Sequence, residues 1–167
     1  MSMAAASLFL PFLPLLASQI LLNNFLSDIP AIGLAGDRVD PELGAKPERW
    51  DLGMVGRFMV SLGLLSSCFD LATFAVLIGP FAATPALFRT GWFVESLLSE
   101  LAIALVVRTR GSCFRSRPGQ LLLVSTVVLI GVTGLLPYLP GVDRLGFVPL
   151  PAGVLLAVCG IAAAYIV

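Results

Sequence analysis

Between Leu13 and Leu34 an otherwise apolar stretch, LPLLASQILLNNFLSDIPAIGL, carries Gln19, Asn23, Asn24, Ser27 and Asp28 near its middle. Asn24 and Asp28 stand four residues apart, which puts them on one face of a helix with Ser27 beside them. Amide, hydroxyl and carboxylate oxygens gathered in this way are the ligands a hard cation takes. Pro30, two residues beyond Asp28, has no amide hydrogen and frees a backbone carbonyl one turn earlier, a further oxygen of the same kind. The same residues admit a second reading, as a polar seam that joins helices by hydrogen bonds. Under either reading a carboxylate at mid-membrane costs about 2.5–3.5 kcal/mol on insertion scales, so it must face protein or water.

Three more carboxylates lie inside apolar runs: Asp70, Glu95 and Glu100. Ser66 and Ser67 are one turn from Asp70 and could donate hydrogen bonds to it. Glu95 and Glu100 are five residues apart, about 140° around a helix, so they cannot point the same way. Glu95 shares a face with Ser99, and Ser96 shares one with Glu100. So many intramembrane acids exceed what helix adhesion alone requires, and they read as pathway or helix-anchoring carboxylates. The chain has no histidine, which removes the commonest general base and metal ligand. Its three cysteines, Cys68, Cys113 and Cys159, show no metal or redox spacing; two fall in apolar runs, where a small buried hydrophobe is expected.

The elements that must position these groups are long apolar helices. The 167 residues are 58% hydrophobic and 12% charged, with a mean hydropathy of +1.00, which describes a membrane protein rather than a soluble domain. Five spans are expected, over about 13–34, 57–79, 90–107, 119–136 and 148–167, forming one all-α domain from 1 to 167, a polytopic membrane helical bundle. The 22-residue opening span is long enough to cross a hydrocarbon core of ~30 Å at ~1.5 Å per residue. Ten basic and ten acidic residues cancel, so no nucleic-acid footprint exists and the lipid bilayer is the expected partner.

The first dozen residues, MSMAAASLFLPF, carry no basic residue, and none precedes Arg38, so a cleaved leader is not expected here. Pro11 and Pro14 predict a tight turn at the membrane surface. The segment Ala35 to Gly56 holds five acidic and three basic residues with Pro41, Gly44 and Pro47, and reads as a solvated loop with Trp50 at the interface. Tyr138 and Phe147 are expected at the interface in the last loop. The 35–57 and 108–117 segments together carry eight of the ten basic residues, leaving Arg89 and Arg144 for the other side. That asymmetry makes both loops cytoplasmic, with the N-terminus outside and the C-terminus inside a plasma membrane. An odd number of spans entered from outside reads as the tail of a longer protein.

These blocks also resemble a known family. An Asn followed four residues later by an Asp (Asn24 and Asp28), then DRVDPELGAKPERW, GRFMVSLGLLSSCFDLATF, GWFVESLLSELAIALVVRTRG, FRSRPG and LPYLPGVDRLGFVPLP, in that order, are similar to the C-terminal membrane region of P-type cation-transporting ATPases, and among these to the bacterial magnesium-importing group. The resemblance runs from about Phe9 to Val167. It implies that the five spans are helices six to ten of a ten-helix pump and that Asn24 and Asp28, with Ser27 a weaker candidate, ligate the transported ion. That ion would be magnesium or another hard divalent cation, with no cofactor held by this chain. The family's phosphorylated DKTGT motif is absent, as is any GxxxxGK phosphate loop. The first five membrane helices, one of which supplies part of the family's ion site, are also absent. The implied role is thus part of an ion pathway without ATP hydrolysis, working with a separate N-terminal half. The alternative is a small non-enzymatic membrane subunit or a split-gene remnant.

Overall fold

The computed structural model describes residues 2–35, 52–107 and 119–165. All regular structure among them is helical. Among the described residues there are six α-helices: α1 (Ser2–Phe9), α2 (Ala17–Ala35), α3 (Leu52–Ile78), α4 (Pro85–Val107), α5 (Gln120–Leu135) and α6 (Ala152–Ala164), with short 3-10 turns at Leu136–Tyr138 and Val142–Leu145. Of the polar segments expected to carry most of the basic residues, 36–51 and 108–118, with Trp50 and Cys113, lie outside the described residues, whereas α3 begins at Leu52, five residues before the expected span, and holds Arg57.

Helix α4 is the hub, packing against α2, α3, α5 and α6, while α2 also meets α5 and α3 meets α6. Its central position shows in its burial: Phe88, Thr90, Trp92, Phe93, Val94, Glu95, Leu97, Ser99 and Leu101 are all buried. The surrounding helices bury only one stripe each. On α5 this is Leu122, Thr126, Leu129 and Thr133, and on α6 Val154, Val158 and Ala162, the repeat of three to four that a single helical face requires. Their other faces are apolar and exposed: Phe58, Met59, Val60, Leu64 and Leu65 on α3, and Leu121, Val124, Val127 and Val128 on α5. Such faces suit lipid. Two stretches, Val55–Ile78 (24 residues) and Gln120–Tyr138 (19 residues), are long and apolar enough to cross a membrane. Helices α2 and α4, of 19 and 23 residues, have comparable length but break their apolar runs with amides and carboxylates. Helix α6 is apolar but only 13 residues long.

Small residues let the helices approach closely. A Cβ on Gly33 of α2 would come within 3.2 Å of the Leu122 backbone on α5, and one on Gly91 of α4 within 3.1 Å of Leu77 on α3. Aromatic rings fill the α3–α4 seam. Phe74 lies edge-on to Trp92 at 4.8 Å between centroids and packs on Phe88 at 5.2 Å, with Phe12 against Phe88 at 5.5 Å.

Several expectations are revised here. The first residues form helix α1, and the break that Pro11 and Pro14 impose falls after it, before α2 starts at Ala17. Helix α4 begins at Pro85, five residues earlier than expected, because proline at a helix start costs nothing where the amide hydrogen has no intrahelical partner. Arg89 therefore sits in the helix, where its Nε donates to the Leu13 carbonyl at 2.8 Å and its guanidinium lies over the Phe12 ring at 5.7 Å. Phe147 is buried at 1% exposure against Phe93 and is not interfacial, because the 3-10 turn at Val142–Leu145 folds the loop back onto α4. Tyr138 is exposed, as expected of an interfacial ring, and its hydroxyl donates to the Leu150 carbonyl. Cys68 and Cys159 are exposed, since they stand on the outward faces of α3 and α6.

Candidate functional site

The polar residues of α2 divide into two rows about 100° apart, the angle between successive residues in a helix. Gln19 and Asn23 face inward and are buried, whereas Asn24 and Asp28 face outward and are exposed. Ser27 is half-buried, and its hydroxyl donates back to the Asn24 carbonyl at 3.1 Å. Pro30 is within the helix, so the Leu26 carbonyl receives no hydrogen bond from that position.

The inward row meets α4. The Asn23 side-chain amide donates toward both oxygens of Glu100, at 3.0 Å each, while Asn23 Oδ1 is buried with no donor. Gln19 clamps the chain at both sides of the bundle end: its Oε1 accepts the Leu16 amide at 3.1 Å and its Nε2 donates to the Gly146 carbonyl at 3.4 Å. Gly146 has φ of +80°, and a Cβ there would strike Leu16, so the returning loop requires glycine at this position.

A second polar centre lies between α3 and α4. The Trp92 indole donates to Asp70 Oδ1 at 2.8 Å, and the Ser99 hydroxyl donates to Glu95 Oε1 at 2.8 Å. Glu95 Oε2 is buried and has no hydrogen-bond partner. Of the donors expected for Asp70, Ser67 instead donates to the Gly63 carbonyl one turn back, and Trp92 takes that role from across the helix seam. The Glu95–Ser99 pair follows directly from its four-residue spacing. Trp92 carries a signal too, since it shares the α4 stripe with Glu95 and Ser99, but the carboxylate it serves belongs to another helix.

A cavity of about 190 Å³ joins the two centres, lined by Ser66, Asp70, Trp92, Ser96, Ser99 and Glu100 with Ser2 and Ile103 at its edge. Glu100 thus borders both the α2 seam and the cavity. Asn24 and Asp28 stay apart from it on the outer face of α2. Among the described residues no three acidic, cysteine or histidine side chains gather closely enough to hold a metal ion.

Long apolar helices around a hub that buries Glu95 are the build of a membrane protein. Its family is defined by sequence: residues 12–167 match the family described as cation transporting ATPase, C-terminus, and the chain belongs to that family, as the C-terminal region of a P-type cation ATPase. It is 39% identical over 155 residues to the magnesium-transporting ATPase, P-type 1, of Salmonella typhimurium strain LT2, covering 90% of this chain and 17% of that protein. The protein of the same name from Escherichia coli strain K12 is also 39% identical over 155 residues, with the same coverage of 90% and 17%. The chain therefore spans about a sixth of the length of the curated relatives it matches.

Proposed function

We propose that this chain is the ion-pathway portion of a magnesium-transporting P-type pump, inserted as five spans in the plasma membrane with its N-terminus outside and its C-terminus cytoplasmic. Asn24 and Asp28, with Ser27 as an auxiliary, act as ligands to the transported divalent cation. Asp70, Glu95 and Glu100 serve as pathway or helix-positioning carboxylates. ATP hydrolysis belongs to an N-terminal half that this chain does not span.

The observation that carries this reading is the outward exposure of Asn24 and Asp28 on α2, a helix whose inward row is hydrogen-bonded to α4 through Asn23. An amide and a carboxylate one turn apart cannot rest against lipid tails, so their face is covered by protein bearing further ligands. Two oxygen-bearing side chains and a proline-freed carbonyl make an incomplete set for magnesium, which takes six oxygens in near-octahedral order. The remaining ligands then come from the absent helices and from water. The names of the relatives supply the ion, and the hardness of the oxygen donors agrees with it.

A chimera tests this. The C-terminal region of the Escherichia coli relative is replaced by this chain, and magnesium-limited growth is measured in a strain lacking its own uptake. The chimera restores growth, and Asp28→Asn abolishes uptake while the amount of inserted protein holds, because the amide keeps an oxygen but removes the charge. Asn24→Ala weakens affinity less, since water can replace a neutral ligand. Uptake that survives Asp28→Asn while the inserted protein declines would assign Asp28 a structural role. A chimera that inserts and carries nothing would count against the transport reading as a whole.

A further inference from the structure

We infer that Asn23 and Glu100 form a rotational lock between α2 and α4, which makes Asn23 the positioning residue that turns Asn24 and Asp28 onto the outer face of α2. The buried stripe of α2 is Gln19, Asn23, Leu26, Pro30 and Gly33, spaced four, three, four and three residues apart. Apolar contact alone does not choose that stripe. Leu21, Phe25 and Ile32 on the outer face are as apolar as buried Leu26, and a bilayer accepts either set. The choice falls to polar and close contacts. Gln19 holds one end through the Leu16 amide and the Gly146 carbonyl, and Gly33 holds the other against the Leu122 backbone. Pro30 removes the helical hydrogen bond to the Leu26 carbonyl, so the hold at Gly33 is passed on loosely to the turn that carries Asn24 and Asp28. Asn23 lies beside that turn, and its amide donates to both Glu100 oxygens at 3.0 Å.

The lock has a competitor beside it, since Asn24 carries the same amide one residue along. Turning α2 by about 100° would hand Glu100 from Asn23 to Asn24. Two features oppose that slip. Asp28 stands about 40° from Asn24 around the helix, so it would swing toward Glu100 and set two carboxyl groups against each other in apolar surroundings. The turn would also take Gly33 out of a contact where even a Cβ meets the Leu122 backbone at 3.2 Å. Asn23 therefore points inward, and Asn24 and Asp28 are left together as an outward row. That these two are ligands is the reading proposed above, and the part of the lock in transport rests on it; the lock itself does not.

Pulsed electron paramagnetic resonance on the full chain in mixed detergent micelles reads the lock directly. In a background lacking Cys68, Cys113 and Cys159, spin labels replace Phe25 on α2 and Val124 on α5, both exposed. Their separation is narrowly distributed in this parent chain and broadens and shifts in Asn23→Leu. It narrows again when Asn23→Asp is combined with Glu100→Gln, which exchanges amide and carboxylate and keeps the bond. Glu100→Gln alone stays narrow, because its carbonyl still accepts and its amide supplies the donor that Asn23 Oδ1 lacks. An unchanged distribution in Asn23→Leu, or a broad one in either folded bond-keeping variant, would overturn the lock. The transport arm uses the chimera with the Escherichia coli relative. Asn23→Leu raises the magnesium concentration for half-maximal uptake about tenfold and leaves the maximal rate within about twofold, and the exchanged pair restores the affinity. Simple instability would instead lower the maximal rate with the amount of pump. If Asp28→Asn abolishes uptake while Asn23→Leu leaves the affinity unchanged, the positioning role is refuted. If Asp28→Asn leaves uptake intact, the ligand reading fails, and the label distances still decide the lock.

Discussion

Replacing Asn23 by Leu separates the hydrogen bond between α2 and α4 from simple packing. Asn23 is 6% exposed, and its amide reaches both Glu100 oxygens at 3.0 Å, so the substitution keeps volume but removes the donor from a half-buried carboxylate. Hydrogen bonds to charged groups contribute about 1.5–3 kcal/mol in soluble proteins, whereas side-chain bonds between membrane helices average about 0.6 and reach about 1.7 kcal/mol. Burial of the donor and the charge on the acceptor place this bond toward the upper end of the membrane range. A loss of about 1–2 kcal/mol follows, a factor of roughly 5–30 in the folding equilibrium. Glu100→Gln should behave differently. Asn23 Oδ1 is buried without a donor, and the new amide can supply one while its carbonyl still accepts, so stability changes by less than about 0.5 kcal/mol or rises. Equilibrium unfolding in mixed detergent micelles, followed by tryptophan fluorescence and far-ultraviolet dichroism, reads both variants. Equal destabilisation by the two, or none from Asn23→Leu, would show that α2 is held on α4 by packing and that this bond contributes nothing.

Other consequences are as direct. Gly146→Ala should cost about 2–3 kcal/mol, from the left-handed backbone and the collision with Leu16, whereas Gly141→Ala, with φ of +90° and open space around it, should cost only about 1 kcal/mol in the same unfolding assay. In a background lacking Cys68, Cys113 and Cys159, cysteines at Gly141 and Pro85 should react with an impermeant reagent added from outside, while cysteines at Lys46 and Arg110 should be protected; reversed labelling would refute the orientation drawn from the basic residues.

Much of the bundle was legible because it follows from spacing within single helices. Glu95 with Ser99, and the five-residue offset between Glu95 and Glu100, depend only on helical geometry, and the structure keeps both. The burial of Phe147 was not legible. Its neighbourhood, LPGVDRLGF, has the polarity of a surface loop, but Gly141 and Gly146 both adopt positive φ and turn the chain back so that the ring meets Phe93. Cys68 and Cys159 failed for a related reason. In an apolar helix a residue's hydrophobicity no longer distinguishes the lipid-facing side from the protein-facing side, so burial cannot be read from residue type.

The sequence by itself determined the class of this protein, the positions of its acids and amides within apolar helices, and the family to which it belongs. Those are properties of composition, period and order along the chain. Only the tertiary structure decided which of two adjacent asparagines turns inward, that Asp70 accepts from Trp92 across the helix seam, and that α4 is the helix the others surround. The physical reason is that a helix fixes the angle between its own residues to within a few degrees but says nothing about which face another helix will cover. Close approach at Gly33 and Gly91, and the aromatic seam around Phe74, set that choice, and with it which polar groups were paired inside and which were left on the outer face.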